Sequence, residues 1–257
     1  MIILKMNKAI CMYDGSYIGN SLLKDGDDLL FINCIKSLRK HSSCEIIIYK
    51  TNNVNIDGIK NLNNLTFIEF KKEDWNNKKM SSRVNTVYNH NWNKNDKVIV
   101  FDVDMFFLDN PFKIFKNEFD YFYTTRSDIK TSISPINEGL TGFIFSNKIK
   151  NFYNFWINEI HNTTWEPFKN KKFNKNKQCG QQFLCTVYQN INNLPEEINN
   201  MKFFDATCHW NYTTVKDNFN DIYNKIKNNL VGVVHLKGHI LKQNKYIIEF
   251  LKILNID

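Results

Sequence analysis

Apolar and polar positions in the first half of the chain alternate between short β-rich runs and stretches with helical spacing. In one such stretch Phe31, Ile35 and Leu38 fall on the same face of a helix. A strand buried on both faces is predicted at 97–101, where every residue after the lysine is apolar. We predict strands at 9–13, 45–49, 65–70 and 97–101, and helices at 27–40 and 81–89 with Ser81 as the cap of the second. Strands that alternate with helices indicate an α/β fold with a mostly parallel central sheet flanked by helices.

The second half of the chain has a more mixed pattern. We predict strands at 120–125, 140–145 and 230–234, and helices at 147–160, 180–189 and 246–254. No internal repeat and no long linker is visible, and 257 residues suffice for one domain with a sizeable core. We therefore expect a single domain over residues 1–257.

The net charge of +8 is the first feature of composition that raises a functional question. The lysines are spread along the chain and interleaved with asparagine rather than with aromatic residues, and no helix-turn-helix pattern is visible, so we do not expect a nucleic-acid-binding protein. One basic cluster suits either a solvated loop or a surface that meets a diphosphate, an anionic acceptor or a lipid headgroup. Its members are Lys169, Lys171, Lys172, Lys175 and Lys177.

The six cysteines and the apolar runs bear on the compartment. No Cys-x-x-Cys pair and no zinc-like spacing with histidine occurs, so the cysteines are predicted to be free thiols that pack in the core. The apolar runs are too short to cross a bilayer, and the first residues do not resemble a signal peptide. We expect a cytoplasmic location.

Two carboxylates, Asp102 and Asp104, follow the apolar run 97–101 directly. In open α/β sheets the ligand crevice lies at the carboxyl ends of the strands. Residues i and i+2 of an extended chain point the same way, so both carboxylates can address one cation. Mg²⁺ takes few protein oxygens and completes its coordination with water and substrate phosphates. The pair therefore predicts a divalent-metal site beside a phosphorylated ligand, whereas Asp109-Asn-Pro111 reads as a turn.

The segment from Val98 through Asp102-Val-Asp104 to Leu108-Asp-Asn-Pro111 resembles the metal-binding motif of GT-A-fold glycosyltransferases. It is most similar to family 8, the glycogenin and lipopolysaccharide galactosyltransferase group. The resemblance implies a Rossmann-like GT-A fold and transfer of a hexose, with retention, from a UDP-sugar to a hydroxyl of an acceptor glycan. It also implies that residues 1–111 bind the nucleotide-sugar and the metal and that residues 112–257 bind the acceptor.

The resemblance extends to residues around the donor. Tyr13, Asp14 and Tyr17 resemble the first nucleotide-contact loop of the family. Arg83 matches a basic residue near the donor, where its planar guanidinium suits a phosphate or a sugar hydroxyl. We expect these four residues to bind the nucleotide-sugar.

Two segments near the expected acceptor side depart from the family pattern. Aligning the family's Asn-x-Gly on Gly142 puts Leu140 where asparagine is expected, so residues 137–139, Asn-Glu-Gly, are expected to supply the polar groups instead. Cys179-Gly180-Gln181 resembles the family's Asp-Gln helix start, with Gly180 in place of the aspartate. The resemblance assigns Gln181 and Asp104 to the catalytic group, and the missing carboxylate leaves the nucleophile open.

The segment from His235 to Lys242 resembles the family's C-terminal His-x-x-Gly-x-x-Lys. The resemblance makes His235 the third metal ligand after Asp102 and Asp104 and assigns the diphosphate to Gly238 and to Lys237 or Lys242. An imidazole ligand favours Mn²⁺ over Mg²⁺. We expect the three ligands to meet at one rim of the sheet, because each follows an apparent buried strand.

Other enzyme classes remain open on the sequence. Asp102-Val-Asp104 is also similar to the first motif of haloacid-dehalogenase phosphatases, with Asp102 as nucleophile, although Met105-Phe106 stands where Gly-Thr is usual. A nucleotidyltransferase would use a similar carboxylate pair, but the nine glycines form no phosphate loop. An inverting transferase would need a base, for which Glu138, Asp205 and His209 are candidates.

Overall fold

The computed structural model describes residues 6–15, 29–71, 79–126, 135–170, 180–213, 219–236 and 252, and in these residues ten strands form two sheets. The strands are β1 (Asn7–Tyr13), β2 (Glu45–Lys50), β3 (Leu65–Glu69), β4 (Lys97–Phe101), β5 (Met105–Phe107), β6 (Tyr121–Thr125), β7 (Ile136–Ile144), β8 (Phe203–Asp205), β9 (Tyr212–Thr213) and β10 (Val233–His235). Seven of them form the central sheet in the order β3-β2-β1-β4-β7-β6-β8. Every neighbouring pair is parallel except those that β7 makes with β4 and β6. The predicted mostly parallel sheet is confirmed.

Helices cover both faces of this sheet. They are α1 (Leu29–His41), α2 (Lys79–Asn89), α3 (Asn147–Asn162), α4 (Glu166–Lys169), α5 (Gly180–Gln189) and α6 (Phe219–Lys227). The apolar stripe of α1, with Phe31 and Ile35 fully buried, packs with Ala9 and Ile99 of the sheet. A second buried cluster on the other face unites α2, α3 and α5 with residues such as Val98. Two separate cores result, as helices on both faces of a sheet require.

A second sheet, of three short strands in the order β5-β10-β9, lies beside the end of β4. Strand β5 begins only a few residues after β4 ends and pairs antiparallel with β10, so that Met105 lies opposite His235. The sequence pattern predicts a strand at 230–234, and the structure places it at Val233–His235 in this second sheet rather than in the central one. Three-residue strands carry too little periodicity to be recognised in a sequence.

Several predicted boundaries are wrong. Helix α2 begins at Lys79, before the predicted cap Ser81. Strand β7 begins at Ile136, earlier than predicted. The pattern missed its first residues because Asn137 and Glu138 are polar, although both are buried. The predicted turn at Asp109-Asn-Pro111 is the start of a 3-10 helix, in which the Asn110 side chain accepts a hydrogen bond from the Phe112 amide. Of the predicted helix 246–254 only Lys252 is among the described residues, and it is helical.

Four cysteines, Cys11, Cys34, Cys44 and Cys185, are thiols buried in the core, as predicted, whereas Cys208 is only half-buried. Burial raises the pKa of the Cys11 and Cys34 thiols above their ordinary value, so both stay protonated. Among the described helices none combines the length and the apolar character needed to cross a membrane.

Candidate functional site

Asp102, Asp104 and His235 come together at the carboxyl end of β4. The Nε2 atom of His235 lies 3.0 Å from Oδ1 of Asp104 and 3.6 Å from Oδ2 of Asp102. One potential ligand atom from each residue lies within 4.8 Å of the other two. The imidazole is fully buried, whereas the carboxylates are partly exposed, so the group opens to solvent on the side of the aspartates.

Backbone hydrogen bonds fix this meeting of distant segments. The amide of Asp102 donates to the carbonyl of Gly139 at 2.8 Å, which ties the end of β4 to β7. The amide of Leu236 donates to the carbonyl of Asp104 at 2.9 Å, which extends the pairing of β5 with β10. The structure confirms the prediction that the three side chains lie close together. Strand β10, which carries His235, belongs to the second sheet and not to the central one.

The buried side chain of Asn211 determines which nitrogen of His235 faces the aspartates. Asn211 Nδ2 donates to the hydroxyl of Thr124 at 2.7 Å and to the carbonyl of Asn137 at 3.2 Å. A carbonyl can only accept, so the amide orientation is set and Asn211 Oδ1 points at His235 Nδ1, 2.9 Å away. The oxygen can only accept as well, so Nδ1 carries a proton and donates it to Asn211, and Nε2 is the ring nitrogen that faces the aspartates. Asn137 Nδ2, at 3.4 Å from Nδ1, is the more distant neighbour.

This donor set fits a divalent cation. Two carboxylates this close together repel each other unless positive charge lies between them. A histidine whose second ring nitrogen donates to an amide oxygen has the usual arrangement of a metal ligand. Oxygen ligands suit Mg²⁺ and Mn²⁺, and the added imidazole favours the transition metal. Asp102, Asp104 and His235 are therefore the residues that could hold such an ion.

Arg83 joins the site from α2. Its Nη1 atom donates to Asp102 Oδ1 at 2.6 Å. Burial opposes the charge of Arg83, but the neighbouring carboxylates of Asp102 and Glu138 hold the pKa of its guanidinium above the ordinary value. Its Nη2 atom is buried and makes no hydrogen bond within the described part of the chain. An oxygen of a bound molecule could complete a buried donor of this kind.

Two other residues predicted to bind the donor, Tyr13 and Asp14, lie at the end of β1. Tyr13 is buried and stacks on Phe31, with ring centroids 4.7 Å apart. Asp14, at the end of β1, is also buried, and its carbonyl accepts a hydrogen bond from the Thr51 hydroxyl at 3.1 Å. Four further predicted residues lie outside the described residues: Tyr17, Lys237, Gly238 and Lys242.

Within residues 137–142, Asn137 and Gly139 contact His235, whereas Leu140 and Gly142 lie in the core. A Cβ atom on Gly139 would lie 2.4 Å from an imidazole carbon of His235. A Cβ atom on Gly142 would instead meet the Phe122 ring and a backbone carbonyl at 2.4 Å, inside the core. Leu140 is fully buried in the core on the α1 side. The expectation that the Asn-Glu-Gly segment supplies the polar groups of the acceptor side stays a prediction.

Helix α5 begins with Gly180 and Gln181, as predicted. Gly180 lies against the side chain of Glu138, so closely that a Cβ atom at this position would be 2.2 Å from Glu138 Oε1. Gln181 is half-buried next to it. The carboxylate of Glu138 thus occupies the space that a side chain at 180 would take.

The remaining candidates lie elsewhere. Asp205, at the end of β8, accepts hydrogen bonds from the Thr125 hydroxyl and the Thr207 amide. His209 contacts the carbonyl of Leu230 through Nδ1 at 3.0 Å. Neither belongs to the possible metal-binding group found in the described residues.

Of the basic cluster, Lys169 forms an exposed ion pair with Glu166, and the other four lysines lie outside the described residues.

Asn211 is the main residue of the candidate site that the sequence pattern does not assign to it. It is one asparagine in a chain rich in asparagine, and its local pattern is an Asn-x-Thr sequon, which gives no indication of a metal site. Its role depends on contacts with β6, β7 and β10, which only the folded chain brings together.

The sequence matches no protein-family model and no curated protein. The structure is similar to galactosyltransferase LgtC in complex with donor and acceptor sugar analogues, at a TM-score of 0.51 and 11% identity over 90% of this chain and 87% of that one. It is also similar to mouse xyloside xylosyltransferase 1 in its apo form (TM-score 0.58, 9% identity, 92% of this chain and 99% of that one). A third similar structure is a glycosyltransferase involved in the glycosylation of the major capsid of PBCV-1 (TM-score 0.53, 10% identity, 96% and 99%). These neighbours have the GT-A fold, which confirms the predicted fold class, and LgtC is a member of family 8.

Proposed function

We propose that this protein is a divalent-metal-dependent glycosyltransferase that moves a sugar from a nucleoside-diphosphate sugar to an acceptor hydroxyl. The observation that carries the proposal is the convergence of Asp102, Asp104 and His235, at 3.0 and 3.6 Å, beside the central strand of a GT-A fold. UDP is the proposed nucleotide, Mn²⁺ the proposed metal and a glycan the proposed acceptor. All three come from the motif resemblance and from the imidazole in the ligand set.

The three ligands would hold the cation where the diphosphate leaves. A bound divalent ion supplies Lewis-acid stabilisation of the negative charge on the departing diphosphate. Arg83 is held against Asp102 and has a buried nitrogen to offer to a ligand oxygen, so it orients the donor with a fixed positive charge. Lys237 or Lys242 is proposed to add positive charge to the same diphosphate.

Transfer of a hexose with retention is the finer part of the proposal. Gln181, at the start of α5, is proposed to lie beneath the sugar. The hydroxyl acceptor is proposed to approach from the half of the chain that follows Pro111.

The environment of Asp102 argues against a phosphatase that uses this residue as its nucleophile. Both of its carboxylate oxygens face charged or polar partners, Arg83 at 2.6 Å and His235 at 3.6 Å. An ion-paired carboxylate is a weak nucleophile because its charge is already stabilised. Turnover of p-nitrophenyl phosphate would contradict the proposal.

The decisive experiment is a thermal-shift titration with UDP, with and without Mn²⁺. We expect a rise in melting temperature that requires both, because binding to the folded state stabilises it by mass action. Asp104→Ala should abolish the rise. The matched control is Asp109→Ala, which removes a nearby carboxylate that pairs with Lys113 outside the ligand group and should leave the rise intact. Equal shifts in wild type and Asp104→Ala would refute the metal role.

A further inference from the structure

Glu138 is a buried carboxylate beside the proposed metal centre that the ligand set does not use. Only 3% of the residue is exposed. It precedes Gly139, which contacts the ring of His235 and whose carbonyl accepts the amide hydrogen of Asp102. Burying a charged group costs free energy unless opposite charge or hydrogen bonds compensate, so a carboxylate kept in this place calls for a reason.

The surroundings of Glu138 provide this compensation. The guanidinium of Arg83 is electrostatically coupled to both Glu138 and Asp102. The first residue of α5, Gly180, lies against the carboxylate, and the amino end of a helix favours negative charge. The ring of Trp156 borders the same space, since it would be 2.6 Å from a Cβ atom at Gly180. The carboxylate thus lies among groups from α2, α3 and α5.

The order of the strands shows which part of a nucleotide-sugar lies near this carboxylate. Strand β4, which carries the metal-binding aspartates, has β1 on one side and β7 on the other. The residues predicted to contact the nucleoside, Tyr13 and Asp14, are at the end of β1. Glu138 lies on β7, in the part that passes the end of β4, where Phe101 pairs with Leu140. A donor with its nucleoside at β1 and its diphosphate at β4 therefore has its sugar at β7.

We propose that Glu138 is the carboxylate that accepts hydrogen bonds from hydroxyl groups of the transferred sugar, and that Gly180 is needed to leave room for it. The inference rests on the proposed function. A carboxylate repels a diphosphate, so the sugar hydroxyls are the groups near β7 that it can bind favourably. In this chain the carboxylate comes from strand β7, while Gly180 of helix α5 leaves the space for it.

The competing explanation is structural, with Glu138 acting only to balance the charge of Arg83. The two roles differ in which ligand they affect. A residue that binds the sugar changes the affinity for a UDP-sugar and not the affinity for UDP. A residue that only holds Arg83 and Asp102 in place changes both affinities together.

The test is calorimetric titration of the full chain with UDP and with UDP-glucose, UDP-galactose and UDP-N-acetylglucosamine, each with Mn²⁺. Glu138→Gln should weaken binding of the tightest UDP-sugar by roughly tenfold or more, because a hydrogen bond to a charged acceptor is lost. Its affinity for UDP should stay within about twofold of wild type, a difference of about 0.4 kcal/mol and too small for a lost hydrogen bond.

The matched control is Glu159→Gln. Glu159 is as buried as Glu138, but its carboxylate binds the Thr164 hydroxyl and the Trp165 amide at the end of α3. This variant should lose thermal stability and keep the wild-type ratio of UDP-sugar to UDP affinity.

Gly180→Ala is the second variant, and it tests the position of the Glu138 carboxylate rather than its charge. The added methyl group would lie 2.2 Å from Glu138 Oε1 and should displace the carboxylate, so that UDP-sugar affinity falls while UDP affinity persists. Unchanged UDP-sugar affinity in both variants, or an equal loss for UDP and UDP-sugar, would overturn the assignment of Glu138. Failure of wild type to bind UDP at all would instead refute the proposed function, and the assignment with it.

Discussion

The contact between Asn211 Oδ1 and His235 Nδ1, at 2.9 Å, prepares the imidazole to bind a metal through its other nitrogen. Both residues are fully buried, so no water competes for this hydrogen bond. The partners of a ligating histidine fix its tautomer and its orientation and raise its basicity. The amide of Asn211 is therefore expected to raise the affinity for the proposed metal without contacting it.

Replacing Asn211 by alanine should weaken Mn²⁺ binding by about 10- to 100-fold, the usual effect of losing such a partner. The measurement is free Mn²⁺ by electron paramagnetic resonance in a titration with UDP present. Asn190→Ala is the control, because it removes an amide that caps α5 through a 2.8 Å bond to the Thr186 carbonyl. Wild-type Mn²⁺ affinity in Asn211→Ala would contradict the role given to this residue.

Gly139→Ala should abolish the metal-dependent rise in melting temperature. Its Cβ atom would collide with the His235 ring at 2.4 and 2.5 Å and with Met105 at 2.8 Å, so the imidazole must leave its place. Gly142→Ala provides the comparison, since its Cβ atom would press on Phe122 in the core. Overpacking of this kind costs about 1–3 kcal/mol of stability. Differential scanning fluorimetry should therefore show lower stability for Gly142→Ala with the metal response retained, and a normal response in Gly139→Ala would refute the prediction.

Asp96→Ala should destabilise the fold by up to about 3–5 kcal/mol, the usual effect of removing one partner from a buried ion pair, and Glu45, 3.7 Å from the Lys8 ammonium, limits the loss. Asp96 is fully buried and lies 3.0 Å from the ammonium of Lys8, of whose side chain only 8% is exposed. Urea denaturation measures the loss. Asp57→Ala, which breaks the exposed pair with Lys60, should cost less than about 1 kcal/mol. Comparable losses in the two variants would show that the Lys8–Asp96 pair contributes little.

His90 should make the folded state less stable as the pH falls below its ordinary pKa of 6.5. Burial, helped by the charge of Lys8, lowers the pKa of His90 in the folded protein, so the unfolded chain takes up the proton first. Stability is therefore complete above the unfolded-state pKa and decreases as the pH falls from there toward the folded-state pKa.

His90→Asn should remove part of this pH dependence, because the amide can still hydrogen-bond Tyr49 but does not titrate. The free energy of unfolding, measured in urea between about pH 5 and pH 7, the range around the ordinary histidine pKa, provides the comparison. His161→Asn, at the exposed end of α3, should follow the wild-type curve. Parallel curves for wild type and His90→Asn would contradict the assignment.

The sequence by itself determined the elements whose patterns are local. Strand β4 and helix α5 have the predicted bounds, because an apolar run and a helical stripe depend only on residues close in the chain. The spacing of Asp102 and Asp104 likewise indicated a shared direction and a cation. The first residues of strand β7 were missed for the opposite reason. Asn137 and Glu138 are polar, and the segments that bury them are distant in the chain.

Only the tertiary structure decided how distant segments complete the site. His235 meets the aspartates because β10 pairs with β5 in a second sheet, and Asn211 reaches His235 because β9 lies alongside β10. Gly180 meets Glu138 because α5 packs on β7, although the two residues are far apart in sequence. Strand pairing and helix packing join residues by their positions in space, and no periodicity along the chain encodes those positions. The sequence thus indicated a metal site, whereas only the fold brought His235 and Glu138 to it.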